Sequence, residues 1–218
     1  DIASEDNNTR QRSIEFIKNT INICNKLNIK YYTIHPGFFA EAVVGSKKEN
    51  RNFDFVFKKS ATTKENVLKR TVKIIKYLYD IANKKNVQLL IENQGSITSK
   101  QFTIFDSPKE LIFLKKEVGH KLNFNFNLAH ATLAGFNLLD SKVFKYFYQE
   151  SLFFEVSEIT EKYDSHLSVY PGQGDIGALL NKYKKEFTNT NIILEYRNLP
   201  IKEVRKSYLD VFNFLNTS

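Results

Sequence analysis

Methionine and tryptophan are absent from all 218 residues, and cysteine occurs once. A chain without even an initiator methionine reads as a fragment, a processed product, or a record from which the methionine positions have been lost. The lone Cys24 excludes an intrachain disulfide, and its apolar helical spacing assigns it to packing rather than to nucleophilic chemistry. No apolar stretch approaches the roughly 20 residues that cross a bilayer, and Asp1-Ile2-Ala3-Ser4-Glu5-Asp6 lacks the basic flank and apolar centre of a signal peptide. These absences predict a cytoplasmic protein with no membrane partner. Gly- or Ser-rich linkers, repeats and low-complexity tracts are missing too, so a single domain over residues 1–218 is expected.

What is present suits a globular core, with 42% hydrophobic and 26% charged residues. A net charge of +8 admits an anionic partner such as nucleic acid or a sugar phosphate. Against that, Lys64, Lys69, Lys73, Lys76, Lys84 and Lys85 are spread along helix faces, the pattern of a solvated surface.

Apolar spacing of three and four residues through Ile14, Ile17, Ile21, Cys24 and Leu27 predicts a helix over Arg10–Leu27, followed by a strand over Ile29–Ile34 that Pro36 and Gly37 stop. The same cycle recurs. Helices are expected over Thr63–Lys85, from Asp106-Ser107-Pro108 through Val118, over Asp140–Gln149, Asp175–Phe187 and Ile201–Leu215. Strands are expected over Val87–Ile91, Leu122–Phe126, Leu152–Val156 and Ile192–Leu194. Strict alternation argues for a parallel sheet.

Each strand ends in a side chain that can bind metal or move a proton. His35 follows Ile34, Glu92 follows Ile91, Asn127 and His130 follow Phe126, Glu155 lies in the strand with Asp164 and His166 beyond it, and Glu195 follows Leu194. Parallel strands that stop in ligand-type residues are how a (β/α)8 barrel builds one site at its C-terminal face. Five strands fall short of closure, and a full barrel takes about 250 residues. The expected fold is therefore an α/β TIM barrel of which this chain carries roughly the C-terminal five βα units, the N-terminal units being missing. An open doubly wound sheet is the alternative, but its site would be served by few strands.

Taken in order, Ile34-His35-Pro36-Gly37, Ile91-Glu92-Asn93, Asn127-Leu128-Ala129-His130-Ala131, Glu155-Val156-Ser157-Glu158, Asp164-Ser165-His166-Leu167, Gly172-Gln173-Gly174-Asp175-Ile176 and Leu194-Glu195 resemble the xylose isomerase-like TIM-barrel superfamily. That superfamily holds sugar and sugar-phosphate isomerases and epimerases as well as the endonuclease IV-like apurinic-site nucleases. The likeness runs from residue 1 to about 215. It implies a metal site of Glu, Asp, His and Glu, which falls here on Glu92, Asn127, Glu155 and Glu195. Two of the four differ from the family pattern. Asn127 offers a carbonyl oxygen without charge and Glu155 a carboxylate for a nitrogen, an all-oxygen set that suits Mg²⁺ or Mn²⁺ better than Zn²⁺. A slip of two residues would put Ser157 in place of Glu155. In the endonuclease branch a further metal is held by groups resembling His130, Asp164 and His166, with another histidine at the His35 position.

Apart from any resemblance, Glu92 and Glu195 at the ends of apolar strands are costly to bury unpaired and call for a cation or hydrogen-bonding partner. His120, between Gly119 and Lys121, reads as an exposed turn residue. The long connection from Pro36 to Thr62 carries Phe38, Phe39, Lys47, Lys48, Arg51, Phe53, Phe55, Phe57, Lys58 and Lys59, which suit either a surface that stacks on a ring and grips phosphate or a local hairpin at Asn52–Phe57. The expected activity is metal-dependent sugar or sugar-phosphate isomerisation or epimerisation, with Glu92 and Glu195 as the proton-transfer pair. His35, His130, Asp164 and His166 would contact substrate or additional metal. The alternatives are an endonuclease IV-like phosphodiesterase acting on abasic DNA, and a barrel whose altered metal site no longer catalyses.

Overall fold

In the computed structural model, the stripe Ile14, Ile17, Ile21 and Cys24 is the buried face of α1 (Asn7–Lys26), which starts where the Asp6 side chain accepts the Thr9 N–H. The structure describes residues 1–44, 55–58, 61–95, 102–160 and 163–217. They divide into two compact units, residues 1–94 with 98–123, and residues 95–97 with 124–218. Among the described residues no helix is long and apolar enough to cross a membrane.

In the first unit α1 leads to β1 (Tyr31–Ile34), and an antiparallel excursion of β2 (Glu41–Val44) and β3 (Phe55–Lys58) follows. Next come α2 (Lys64–Lys84), capped by Thr63, and β4 (Gln88–Glu92), which lies parallel to β1. α3 (Pro108–Val118) is capped by Ser107 with proline in its first turn, as the Asp-Ser-Pro sequence predicts. α2 packs on α1, α3 and β4. The excursion is fastened at both ends to the start of α1. Glu41 accepts the Ser4 hydroxyl at 2.7 and 2.8 Å and the backbone N–H groups of Glu5 and Asp6, while the Glu5 carboxylate accepts the N–H groups of Ala61 and Thr62 at 3.0 and 2.8 Å.

Phe55–Lys58 pairs with Glu41–Val44, so the hairpin expected within Asn52–Phe57 is replaced by a wider one. Pairing Phe57 with Ala42 brings its ring against Phe38 at 5.3 Å and Phe102 at 4.8 Å. Lys47, Lys48, Arg51, Asn52, Phe53 and Lys59 lie outside the described residues.

The second unit is built on parallel strands β5 (Asn123–Asn127), β6 (Ser151–Val156) and β9 (Asn191–Leu194). Between β5 and β6 stand α4 (Leu128–Leu133) and α5 (Ser141–Glu150); the short α4 begins directly at its cap, Asn127. Between β6 and β9 an antiparallel arm, β7 (Glu158–Thr160) with β8 (Tyr163–Leu167), precedes α6 (Gly174–Lys182) and α7 (Lys184–Thr188). α8 (Ile201–Asn216) closes the unit against α7. The single helix expected over Asp175–Phe187 is thus two. Tyr183 leaves helical geometry at φ −112°, ψ 34°, which lets its ring stack 3.7 Å from Phe144 and its hydroxyl donate to the Leu138 carbonyl.

β5 alternates strictly. Phe124 and Phe126 are fully buried with aromatic partners, Phe126 stacking on Phe147 at 4.6 Å and meeting Phe154 and Phe136 at 6.0 and 5.9 Å, whereas Asn125 and Asn127 fall on the other face. Truncating Phe126 to alanine removes a ring with packed neighbours, and should lower the unfolding free energy by about 3–5 kcal/mol. Urea titration of the variant against the parent reads this; a loss under about 1 kcal/mol would mean the stack is not the core of this unit.

Candidate active site and metal centre

The register of β1 with β4 pairs Ile34 with Ile91, so the next residues, His35 and Glu92, emerge side by side at the strand ends. His35 Nε2 lies 3.4 Å from Glu92 Oε2, with the histidine side chain half exposed and Glu92 buried. The Gln94 amide donates to the carbonyls of Gly37 and Ile104, tying together the two loops that leave these strands.

In the second unit, Asn127 of β5 is paired with Glu155 of β6. The Asn127 side-chain oxygen accepts the His130 N–H at 3.0 Å as the cap of α4, and its amide nitrogen donates to Glu155 Oε2 at 3.2 Å and Glu195 Oε2 at 3.4 Å. Asn125 donates to the other Glu155 oxygen. Here Asn127 faces the glutamates with a donor, not the carbonyl oxygen expected of a ligand. A neutral amide between two carboxylates does part of what a cation would do there. Ser157, the alternative to Glu155, is buried and its hydroxyl has no hydrogen-bond partner among the described residues.

A second cluster brings together His130 from α4 with Asp164 and His166 from β8. One ligand-type atom from each lies within 4.8 Å of the others. Asp164 Oδ2 is 3.2 Å from His130 Nε2 and 2.7 Å from His166 Nε2, and Asp164 Oδ1 is buried without a hydrogen-bond partner. On its other side His166 Nδ1 lies 3.1 Å from Glu195 Oε2, outside hydrogen-bonding geometry. Arg197 Nη2 is 2.7 Å from the same Nε2 that faces Asp164. One ring nitrogen cannot donate to Asp164 and accept from Arg197 at once, so in either protonation state one of these contacts is unsatisfied.

Burial works to raise the Asp164 pKa, but hydrogen bonds from His130 and His166 and their charges outweigh it and hold the carboxyl well below the usual carboxylate range. Burial likewise works to lower the His166 pKa, and Asp164 and Glu195 together overcome it, pushing the imidazole up to about 9. Two imidazoles, one carboxylate with an unused buried oxygen, and a ring nitrogen with one contact too many are the donor set and the unsatisfied valence that a divalent ion would use.

Every strand-end candidate read from the sequence lies among the described residues. His35 meets Glu92; Asn127 joins Glu155 and Glu195; His130, Asp164 and His166 converge; Glu195 connects the last two groups through His166. His120 is exposed, as expected. Sequence reasoning passed over Asn125 and Arg197. The alternation Asn-Phe-Asn-Phe-Asn carried the signal for Asn125, and the position of Arg197 two residues after Glu195 that for the guanidinium.

A family model described as xylose isomerase-like TIM barrel matches residues 1–216. No curated protein matches the chain in sequence. Among solved structures, a D-tagatose 3-epimerase-like protein superposes with a TM-score of 0.72 at 18% identity, covering 98% of this chain and 72% of its own. The IolI protein with a bound zinc atom gives 0.68 at 17% identity, covering 100% and 75%. A 3-keto-D-glucoside 4-epimerase from E. coli gives 0.69 at 11% identity, covering 97% and 74%. At such identities the likeness is one of fold.

An ion bound at His130, Asp164 and His166 must displace the His166 proton. With that pKa at about 9, zinc affinity measured calorimetrically should rise about tenfold per pH unit from about pH 7 and level off above about 9; a flat profile would exclude His166 as a ligand. The sign for stability is opposite, since a raised histidine pKa contributes stability below about 6.5 and loses it as pH rises through about 9. Arg197→Ala, which removes the competing cation, should tighten zinc binding several-fold.

Proposed function

The chain belongs to the xylose isomerase-like TIM-barrel family, and from that premise we propose that it is a sugar or sugar-phosphate isomerase or epimerase that moves a proton next to a carbonyl. The observation that carries this reading is the pair of strand-end glutamates, Glu92 buried beside His35 at the end of β4 and Glu195 directly after β9. In the proposed reaction one glutamate, as carboxylate, takes the hydrogen from the carbon beside the carbonyl, and the bond's electrons pass into an enediolate. The other, as carboxylic acid, returns a proton to that carbon or its neighbour. His35 orients a substrate hydroxyl, and Asn127 and Asn125 hold Glu155 and Glu195 in place. A divalent ion, when bound, would polarise the carbonyl and stabilise the enediolate. Glu92, Glu155 and Glu195 are the carboxylates assigned to such an ion. Asn127, assigned with them from the family pattern, serves that set by donating to two of its members. Magnesium or manganese suits these oxygens, whereas zinc suits His130, Asp164 and His166.

The histidine-rich cluster favours a second reading, an endonuclease IV-like phosphodiesterase in which clustered ions generate hydroxide and clamp a phosphate of abasic DNA. The Asn127 amide favours a third, a site kept for binding after loss of catalysis. β1 and β9 each present an unpaired edge among the described residues. A closed barrel has none, which supports the further proposal that preceding βα units pair with them. We assign the protein to the cytoplasm, with small sugars as partners.

Glu92→Gln should abolish exchange of the substrate's α-hydrogen with solvent deuterium across a panel of ketoses and their phosphates, followed by NMR. Undiminished exchange would remove Glu92 from the role. Nicking of an abasic-site duplex by a protein holding more than one metal per chain would replace the first reading with the second, and no specific divalent ion by elemental analysis would leave the third.

A further inference from the structure

α6 begins without a side-chain cap of its own: Gln173, at its N-cap, makes no capping hydrogen bond. Its first turn is closed from elsewhere. The Glu158 carboxylate, on β7, accepts the N–H groups of Asp175 at 3.2 Å, Ile176 at 3.3 and 3.2 Å, and Gly177 at 3.2 Å, together with that of its neighbour Ile159 at 3.2 Å. An anionic acceptor for several orphan donors at the positive end of a helix is a strong form of capping.

Within the Gly172-Gln173-Gly174-Asp175-Ile176-Gly177 stretch, Gly174 makes room for it. Gly174 has φ +66°, and a Cβ there would stand 2.4 Å from Glu158 Oε2. Only glycine allows the carboxylate to sit so close to the backbone.

Glu158 is also a rung of the arm that carries two of the cluster's three residues. It pairs with Leu167, the residue after His166, and Thr160 pairs with Tyr163, the residue before Asp164. His166 itself has φ +48°, a left-handed backbone that a non-glycine residue keeps only when its surroundings hold it there. On one side Arg197 N donates to the His166 carbonyl at 3.1 Å. On the other, the neighbouring Leu167 pairs with Glu158, and Ser168 Oγ donates to Glu203 at 2.7 Å.

We propose that Glu158 is a positioning residue: its carboxylate, seated on the first turn of α6, holds the β7–β8 arm in the one register that presents Asp164 and His166 to His130. The proposal rests on reading that trio as a metal site, but the arm's anchorage can be tested without metal.

The test compares the wild-type protein with Glu158→Ala, Glu158→Gln and Gly174→Ala. Zinc binding is measured by calorimetry, and backbone amide exchange by NMR without metal. Glu158→Ala is expected to weaken zinc binding about 10–100-fold, the range for lost support behind a ligand, with exchange protection falling at Asp175, Ile176 and Gly177 and along β8 while the β5 and β6 amides stay protected. Glu158→Gln, which keeps one acceptor oxygen but loses the charge, should fall between. Gly174→Ala should reproduce the loss, and combining it with Glu158→Ala should add no more than the backbone strain of alanine at φ +66°, because both remove the same contact. Sodium acetate or formate should restore part of the protection and the affinity in Glu158→Ala by filling the emptied place, which recovery of general stability would not do. Glu158→Ala with zinc affinity and β8 protection within twofold of the wild type overturns the proposal. A wild-type protein that binds no zinc at His130, Asp164 and His166 overturns the metal reading alone, and the exchange and rescue measurements then decide the role of Glu158.

Discussion

A carboxylate taken out of water has to be met by donors or by positive charge, and that requirement shapes both units. Glu41 is met by the Ser4 hydroxyl and the backbone leading into α1, Glu158 by the start of α6, Glu155 by two asparagine amides, and Asp164 by two imidazoles. All of these contacts except the one between Asp164 and His166 join segments far apart in sequence. The acidic groups therefore act as fasteners for loops that apolar packing alone would leave loose, and the residues bearing chemistry are positioned by the same contacts.

The departures from the family pattern follow the same logic. An aspartate in place of Asn127 would put a third negative charge between Glu155 and Glu195, and only a cation would make that arrangement tolerable. The amide instead turns a donor toward both carboxylates and uses its oxygen to start α4. One side chain thus caps the helix that carries His130 and steadies the glutamate pair.

Much of this was legible in the sequence. Periodicity located the helices that flank the parallel strands, and His35, Glu92, Asn127 and Glu195 stand at the strand ends where the sequence put them. Three features were not legible, for separate physical reasons. The β7–β8 arm is too short and too polar to leave an alternating apolar pattern, so Asp164 and His166 were read only as lying beyond the Glu155 strand, not as part of a strand of their own. Helix α6 ends early because Tyr183 gains more by stacking on Phe144 than by continuing the turn, a tertiary effect without local cause. Asn125 was hidden in a run read as apolar, although its alternation with phenylalanine marks a strand with one aromatic and one polar face.

The left-handed backbone at His166 sets stability against chemistry at a single position. Glycine there would relieve about 1–3 kcal/mol of local strain, yet it would delete the imidazole. A protein selected only for robustness would drift toward the smaller residue, whereas one selected for what the imidazole does must keep tolerating the cost. The identity of residue 166 among natural variants of this chain is therefore a record of which pressure has prevailed.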